Sequence, residues 1–367
     1  MWSRVPLLAS LLAGCVALSV GACAPAPERA LLAGDYSSED LRVAYAGKPE
    51  TWPAPTITGS EKPFSEMGQG ARPVRQVSDP ELVSLGQALF FSPVLSGSED
   101  LSCATCHDPG RAFSREDRQA VGHNGMMGTR NAPGLLGVKD TAPYFWDGRA
   151  ASLEAQAVEP ILNPIEMAGV RESVESRLNA REEWRDLFQL AGEEGPIVLE
   201  DVGRALAAYE RTLTSESAFD RFLAGDQSAL TDEQLKGLHL FRTKARCMTC
   251  HNGAALSDGE FHNIGLVYYG RKYEDLGRYA ETQKAEDVGK FNTPSLRNVS
   301  RTAPYMHNGL LPSLRGVVNY YNGGGARPAR KDDQMDDPLF PSTSDRLVPL
   351  DLTPEERDAL VAFLETL

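Results

Sequence analysis

Two short cysteine–histidine motifs are the feature that most constrains how this 367-residue chain can fold. They read Cys103-Ala-Thr-Cys106-His107 and Cys247-Met-Thr-Cys250-His251. C-x-x-C-H is the attachment pattern of c-type haem, because two thiols one helical turn apart reach both vinyl groups of one porphyrin and the adjacent histidine faces the iron. A zinc site built from both cysteine pairs would leave the histidines unexplained, and a structural disulfide is less typical of this spacing. The motifs therefore predict two covalently attached haem c groups, with His107 and His251 as iron ligands.

The first 23 residues have the composition of an export signal. Arg4 precedes an apolar run over residues 5–20 that is too short and too rich in small residues for a comfortable membrane span. Cys15 and Cys23 both lie in lipobox-like surroundings, so a lipid anchor on either cysteine and plain cleavage remain alternatives. We expect a periplasmic protein that contacts the membrane only through such an anchor. Residues 24–75 are rich in Pro, Gly, Ala and Ser and predict an extended tail that wraps the body.

The charge of the chain excludes one class of partner. The formal net charge is −14, and no block of Lys and Arg interrupts it. Phosphate contacts need clustered cations, so we expect no nucleic-acid binding. The acidic excess could suit a basic protein partner, but it is more often only a solubility feature.

The chain contains an internal duplication. Asn131-Ala-Pro133 through Ser152-Leu153 is echoed by Asn292-Thr-Pro294 through Ser313-Leu314, at a constant offset of 292 − 131 = 161 residues. Each half also has a helix signal before its C-x-x-C-H motif and an amphipathic helix at its end. Long alternating strand patterns are absent. We therefore predict a mainly α fold with long loops and an extended N-terminal tail, in which two tandem cytochrome c-like haem domains occupy residues 76–222 and 223–367.

The two halves differ at a position that could supply a second protein ligand to the iron of the second haem. Tyr320 and Tyr321 follow Ser313-Leu314, and subtracting 161 from 321 gives Pro160, which has no ligand atom. If Tyr321 binds the second iron, the matching face of the first haem receives no ligand from that position. An open iron face is where chemistry occurs, whereas a closed one relays electrons. Core packing of both tyrosines is the alternative, and spacing alone favours it.

Residues 78–367 resemble the bacterial di-haem cytochrome c peroxidase/MauG family. The resemblance rests on ordered motifs: Leu85-Gly86…Leu89-Phe90-Phe91, Ser102 to His107, Val121-Gly-His123, Arg130-Asn-Ala-Pro133, Phe145-Trp-Asp-Gly-Arg149, Asn163-Pro-Ile-Glu-Met167, Leu296-Arg-Asn298 and Thr302-Ala-Pro-Tyr305.

The resemblance implies roles for several residues near the first haem. That haem looks like the peroxide-reacting one, and Glu166 matches the acid/base carboxylate over its open face. Gln156 and Pro160 match residues that line the same pocket. His123 matches a loop histidine that, in many family peroxidases, binds the first iron in the resting oxidised form.

The resemblance also implies what lies between the haems. Trp146 matches the tryptophan that relays electrons there. Asn131, with the carbonyl groups of Thr302 and Pro304, matches an inter-haem calcium site, and oxygen ligands suit calcium.

Tyr321 separates the alternatives for function. Classical di-haem peroxidases place a methionine at this position, whereas MauG-like enzymes have tyrosine. The leading hypothesis is reduction of hydrogen peroxide to water, with electrons from a small c-type cytochrome or cupredoxin. The alternative enzyme uses peroxide and a high-valent di-haem state to oxidise Trp or Tyr side chains of a partner protein. The third hypothesis is a non-enzymatic di-haem electron carrier. A monomer and a homodimer are equally compatible with the sequence.

Overall fold

The computed structural model describes residue 34 and residues 36–59, 64–68 and 79–367. Within these ranges, Ser37–Leu367 form one unit by their internal contacts. The export signal, with Cys15 and Cys23, lies outside the described residues, as does most of the predicted tail. In the part of the chain that is described, no helix is both long and apolar enough to span a membrane.

The described residues are mainly helical, as the sequence predicts. The helices, in chain order, are α1 Ser38–Ala44, α2 Pro80–Phe91, α3 Cys103–Cys106, α4 Leu153–Leu162, α5 Arg171–Ala180, α6 Glu182–Leu190, α7 Leu199–Glu210, α8 Ala218–Leu223, α9 Asp232–Arg242, α10 Tyr279–Thr282, α11 Leu314–Asn322 and α12 Pro354–Leu364. Two short strands, β1 Phe261–His262 and β2 Phe291–Asn292, pair antiparallel, with Phe261 opposite Asn292. Short 3-10 segments, including Cys247–Thr249, join these elements.

The first core forms where α2 and α4 pack against α7. Its centre holds Leu85, Leu89, Phe90 and Leu206, all fully buried. Gly86 lies at the crossing of α2 and α7, where an added Cβ would lie 1.9 Å from the Ala205 carbonyl oxygen. The residue at this crossing must therefore be glycine, because any side chain would force the helices apart.

The second core repeats this arrangement with α9 and α11 packed against α12. An added Cβ on Gly237 would lie 2.0 Å from the Ala359 carbonyl oxygen, so the α9–α12 crossing is as close as the α2–α7 crossing. Capping boxes begin both helices, with Thr231 and Gln234 on α9 and Thr353 and Glu356 on α12. The duplication seen in the sequence therefore extends to helix packing.

The 161-residue offset also holds in the backbone. Tyr144 bridges to Ala150 in the first half, and Tyr305 bridges to Leu311 in the second. Ser152 caps α4 and Ser313 caps α11, each accepting a hydrogen bond from the backbone N–H three residues on. Pro160 and Tyr321 consequently occupy the same place on equivalent helices, as the sequence offset predicts.

A pair of reciprocal hydrogen bonds joins the two halves. The Asn131 backbone N–H donates to the His307 carbonyl (2.7 Å), and the Asn292 backbone N–H donates to the Trp146 carbonyl (2.8 Å). Asn292 and His307 are the 161-residue counterparts of Asn131 and Trp146, so each half gives the other the same contact. This reciprocity is the signature of a local two-fold relation.

A buried ion pair reinforces this junction. The Arg130 guanidinium donates to Asp147 (2.5 Å) within its own half and to both carboxylate oxygens of Asp275 (2.7 and 2.9 Å) in the other. All three side chains are largely shielded from solvent. Such a cluster fixes the two halves relative to each other, because without Arg130 the shielded Asp275 would lose its cation and Asp147 would keep only Arg149, at 3.1 Å.

The described part of the N-terminal stretch packs against the second core. Arg42 of α1 pairs with Asp232 at the start of α9 (2.6 Å). The fully buried Arg242 pairs with Glu66 (2.7 Å) and donates to the Pro53 carbonyl (2.9 Å). The helix α1 in this stretch is a difference from the extended conformation that composition predicts; it forms because Ser37 supplies a capping box and Leu41 is buried.

Candidate functional site

One large cavity brings the two cysteine motifs together. Its volume is about 1040 Å³, at the upper end of the roughly 300–1,000 Å³ typical of ligand sites. Its lining includes Cys106, His107, Cys247, Cys250 and His251. All four motif cysteines are free thiols, so neither pair forms a disulfide.

The zinc alternative does not fit this geometry. Within the described residues, one cluster of three His, Cys, Asp or Glu side chains could hold a metal ion, and it consists of Cys250, Asp258 and His262. The four motif cysteines therefore do not converge on a single ion, as a zinc site built from both pairs requires.

Both motif histidines are oriented as iron ligands. His107 Nδ1 lies 2.9 Å from the Phe113 carbonyl oxygen, and His251 Nδ1 lies 3.0 Å from that of Leu256. An Nδ1–H bond to a carbonyl leaves Nε2 as the atom that can bind a metal. Burial lowers the pKa of both imidazoles, which favours the neutral, ligating form. With two thiols beside each ring, these residues fit two haem c groups.

Glu166 is held in a half-buried position beside the first motif. Asn163 Nδ2 donates a hydrogen bond to Glu166 Oε1 (2.8 Å). Burial raises the pKa of this carboxyl, although the Arg149 charge and the Asn163 hydrogen bond oppose the rise. Gln156, Pro160 and Glu166 line the large cavity, and all three also line a smaller space of about 70 Å³ with His107. The structure thus assembles the predicted first-haem pocket residues.

His123 does not join this group. The cavity lining includes its neighbour Gly122 but not His123 itself. Its Nδ1 lies 3.1 Å from Ser98 Oγ and its Nε2 lies 2.9 Å from Asn124 Nδ2. The His123 backbone N–H donates to the Glu166 carbonyl (2.8 Å), so the loop is tied to the pocket through main chain only. Ligation by His123 in a resting state stays a prediction.

Trp146 lies between the two halves. Its Nε1–H donates to the Asn131 carbonyl (2.9 Å), and its ring meets the His307 imidazole edge to face at 6.3 Å. His307 is only 2% exposed, stacks on Phe291 at 3.6 Å, and has a buried Nε2 with no hydrogen-bond partner among the described residues. His307 was not among the predicted site residues, yet the offset 146 + 161 = 307 identifies it as the counterpart of Trp146.

The two tyrosines of α11 differ in their partners. Tyr320 Oη donates to the Ile264 carbonyl (2.5 Å) and accepts from the Ala326 backbone N–H (3.0 Å), so it is engaged in the fold. Tyr321 lines the cavity, and its hydroxyl makes no hydrogen bond to a described residue. Burial, with the nearby Cys250, raises the pKa of Tyr321 strongly. Of the two, only Tyr321 lines the cavity.

The three residues predicted to hold calcium belong to the lining of the large cavity. Asn131, Thr302 and Pro304 all line the cavity. The Asn131 amide nitrogen donates to the Arg118 carbonyl (3.2 Å), so its side-chain oxygen is the atom left for a cation. Calcium at this place stays a prediction.

A pair of cationic side chains, His262 and Arg346, lies beside the second cysteine motif and was not identified from the sequence. His262 Nε2 lies 2.8 Å from Asp258, and Arg346 Nη1 lies 3.4 Å from His262 Nε2. Burial disfavours the charged ring, but hydrogen bonds to Asp258 and Cys250 raise the pKa of His262 to about 9. Arg346 belongs to no motif, so only the folded chain could bring it here.

Fold and site together define a di-haem c-type oxidoreductase. The model of the family described as di-haem cytochrome c peroxidase matches residues 80–228. Methylamine utilization protein MauG of Methylorubrum extorquens is 41% identical over 292 residues, 78% of each chain. Cytochrome c551 peroxidase of Pseudomonas aeruginosa is 39% identical over 244 residues, 64% of this chain and 69% of that protein.

Solved structures of di-haem proteins also resemble this chain. A MauG-like protein associated with microbial copper homeostasis superposes with a TM-score of 0.69 at 30% identity, over 83% of this chain and 94% of the other. The diheme peroxidase BthA of Burkholderia thailandensis gives 0.67 at 26% identity, over 85% and 92%. The chain belongs to the di-haem cytochrome c peroxidase/MauG family of peroxidase oxidoreductases, whose members carry two haem c groups.

Proposed function

We propose that this protein is a periplasmic peroxidase that reduces hydrogen peroxide to water with electrons from a small redox protein. Each repeat serves as one cytochrome c-like haem domain, residues 76–222 and 223–367. The observation that carries the proposal is the asymmetry of equivalent helices: Pro160 stands on α4 where Tyr321 stands on α11. The first haem is therefore the one with room for peroxide.

Glu166 supplies the proton chemistry in this proposal. When bound, the first haem supplies the iron at which the O–O bond of peroxide is broken. The ionised Glu166 accepts one peroxide proton and returns it to the departing oxygen, while the Asn163 hydrogen bond holds the carboxyl in place. Two electrons and two further protons complete the conversion of one peroxide to two waters.

The second half receives electrons from the redox partner and passes them to the first half. His251 and Tyr321 would both be ligands of the second iron, which suits storage and transfer of electrons rather than substrate binding. Trp146 provides an aromatic side chain at the junction of the halves, and its Nε1–H bond fixes the ring. Asn131, Thr302 and Pro304 would hold calcium beside it, with water completing the coordination.

The tyrosine at position 321 favours a second candidate function. The Tyr321 side chain lines the cavity and has no hydrogen-bond partner among the described residues, so it is free to bind iron; an iron-bound phenolate favours oxidised iron more than a neutral thioether does. In this candidate, peroxide is consumed without a soluble electron donor, and the electrons come from a Trp or Tyr side chain of a partner protein.

Mixing the diferric protein with peroxide tests the proposal. A peroxidase that depends on prior reduction should show little spectral change until one electron has been added, and should then turn over with a reduced donor. A MauG-like enzyme should respond to peroxide at once and keep the altered spectrum. Absence of peroxide consumption in every redox state would refute both enzymes and leave an electron carrier.

A further inference from the structure

A surface of tyrosines and cations forms where Arg118 meets the loop between β1 and β2. Arg118, Tyr268, Arg271, Lys272 and Tyr273 form this tyrosine–cation patch. The Tyr268 and Tyr273 rings meet edge to face at 6.0 Å. The Arg118 guanidinium and the Lys272 ammonium lie 4.6 and 4.9 Å from the Tyr273 ring centre, and Arg271 lies 5.3 Å from that of Tyr268. The tyrosine rings therefore hold three cations in one place.

The charge of the patch is opposite to that of the chain. The net charge is −14, yet none of the three patch cations forms a salt bridge with a described residue. The acids nearest in sequence are engaged: Asp117 pairs with Arg115 (2.5 Å), and Asp275 pairs with Arg130 (2.7 Å). Glu274 accepts a hydrogen bond from the Gly270 backbone N–H. A backbone N–H does not neutralise the Glu274 carboxylate, so the three cations lie near one acid that no described cation pairs with, and the patch is locally positive.

The backbone holds both tyrosines in an uncommon conformation. Tyr268 has φ +52° and Tyr273 has φ +74°. Bulky side chains rarely adopt this left-handed region, and residues held there are found disproportionately at functional sites. Tyr273 is also 40% exposed, so the strained loop presents an aromatic ring to solvent.

A short chain of contacts links the patch to the junction of the two halves. Trp146 Nε1 donates to the Asn131 carbonyl (2.9 Å), and Asn131 Nδ2 donates to the Arg118 carbonyl (3.2 Å). Arg118 in turn lies over Tyr273. One residue, Asn131, therefore connects the patch to Trp146.

We propose that the tyrosine–cation patch is the docking surface for the redox protein, and that this partner presents an acidic face around its redox centre. The inference rests on the proposed peroxidase function. Each encounter oxidises the partner by one electron and reduces the di-haem enzyme by one, so two encounters serve one peroxide. Tyrosine and arginine are enriched in interfaces. At physiological salt the screening length is about 8 Å, so the partner senses the local positive charge rather than the net charge.

Binding of reduced plastocyanin, a small acidic cupredoxin, tests the surface directly. Nuclear magnetic resonance titration at about 0.1 M ionic strength gives the dissociation constant for the full-length holoprotein, for R271E/K272E, and for K48E/R185E. The control reverses two exposed cations on other segments, so its net charge changes equally. We expect R271E/K272E to bind at least about tenfold more weakly and the control to change by less than about twofold. The haem absorption spectrum and melting temperature of each variant check its folding.

Three results would overturn the docking proposal. They are no binding of plastocyanin to the wild type, equal weakening in both variants, and tighter binding of a basic mitochondrial cytochrome c than of plastocyanin. Peroxide turnover by the wild type with the small neutral donor tetramethyl-phenylenediamine tests the proposed function separately. If the wild type binds plastocyanin but does not turn over peroxide, the proposed peroxidase function is refuted. If it turns over peroxide but does not bind plastocyanin, the docking proposal is refuted.

Discussion

Replacing Glu166 by Gln isolates the proton chemistry of the first-haem pocket. Glutamine keeps the side-chain oxygen that accepts the Asn163 hydrogen bond at 2.8 Å, so the pocket should keep its shape. It cannot accept or return a proton at physiological pH. General acid–base catalysis contributes about 10²–10⁴-fold, so we expect kcat/KM for peroxide to fall by about that factor. This loss corresponds to about 3–5 kcal/mol of transition-state stabilisation.

The assay is stopped-flow reaction with peroxide after one-electron reduction, followed across pH. Glu166 must be ionised to accept the peroxide proton, and burial raises its pKa. The wild-type rate should therefore fall on acidification through a pKa above the ordinary glutamate value of about 4.3, and the variant should lack this limb. Glu159→Gln is the matched control, since Glu159 also lines the cavity but pairs with Arg149 at 2.6 Å. Equal rates and pH profiles for wild type and Glu166→Gln would refute the acid/base assignment.

Two further changes test other parts of the account. Tyr321→Met should raise the reduction potential of the second haem in a spectroelectrochemical titration, because a neutral thioether replaces a phenolate. The control Tyr320→Phe should leave this potential nearly unchanged. An unaltered potential in Tyr321→Met would exclude Tyr321 as an iron ligand. Arg130→Gln should lower the free energy of unfolding in urea by about 3–5 kcal/mol, because the shielded Asp275 loses its cation while Asp147 keeps only Arg149. Arg111→Gln, which breaks an exposed ion pair, should cost less than about 1 kcal/mol, and similar costs for both would contradict the role of the buried cluster.

The repeat explains why much of the site could be predicted. A duplicated chain supplies its own alignment, so one offset places Pro160 opposite Tyr321 and α4 opposite α11 before any coordinates are known. The same offset leads to His307, which the sequence reasoning did not use. Its burial and its stacking on Phe291 could not be foreseen, because Phe291 is 16 residues away in the chain and meets His307 only in the folded second half.

Other features depend on contacts between distant segments. Arg346 reaches His262 across 84 residues, and Arg130 reaches Asp275 across 145, so neither pair has a local signal. Composition describes residues 24–75 as extended, but it could not indicate α1, whose stability depends on burial of Leu41 against the second half. Local motifs thus predict which residues carry chemistry, while charge partners require the folded chain.

The central claim is that one haem has a free axial position and the other does not. Titration of the diferric and of the one-electron-reduced holoprotein with cyanide, followed by absorption and electron paramagnetic resonance, counts those positions directly. The account predicts one cyanide bound per chain after one-electron reduction, at the haem held by His107, and a site at the second haem of the diferric protein only after Tyr321→Gly. Two equivalents bound by the wild type, or none in either redox state, would contradict it.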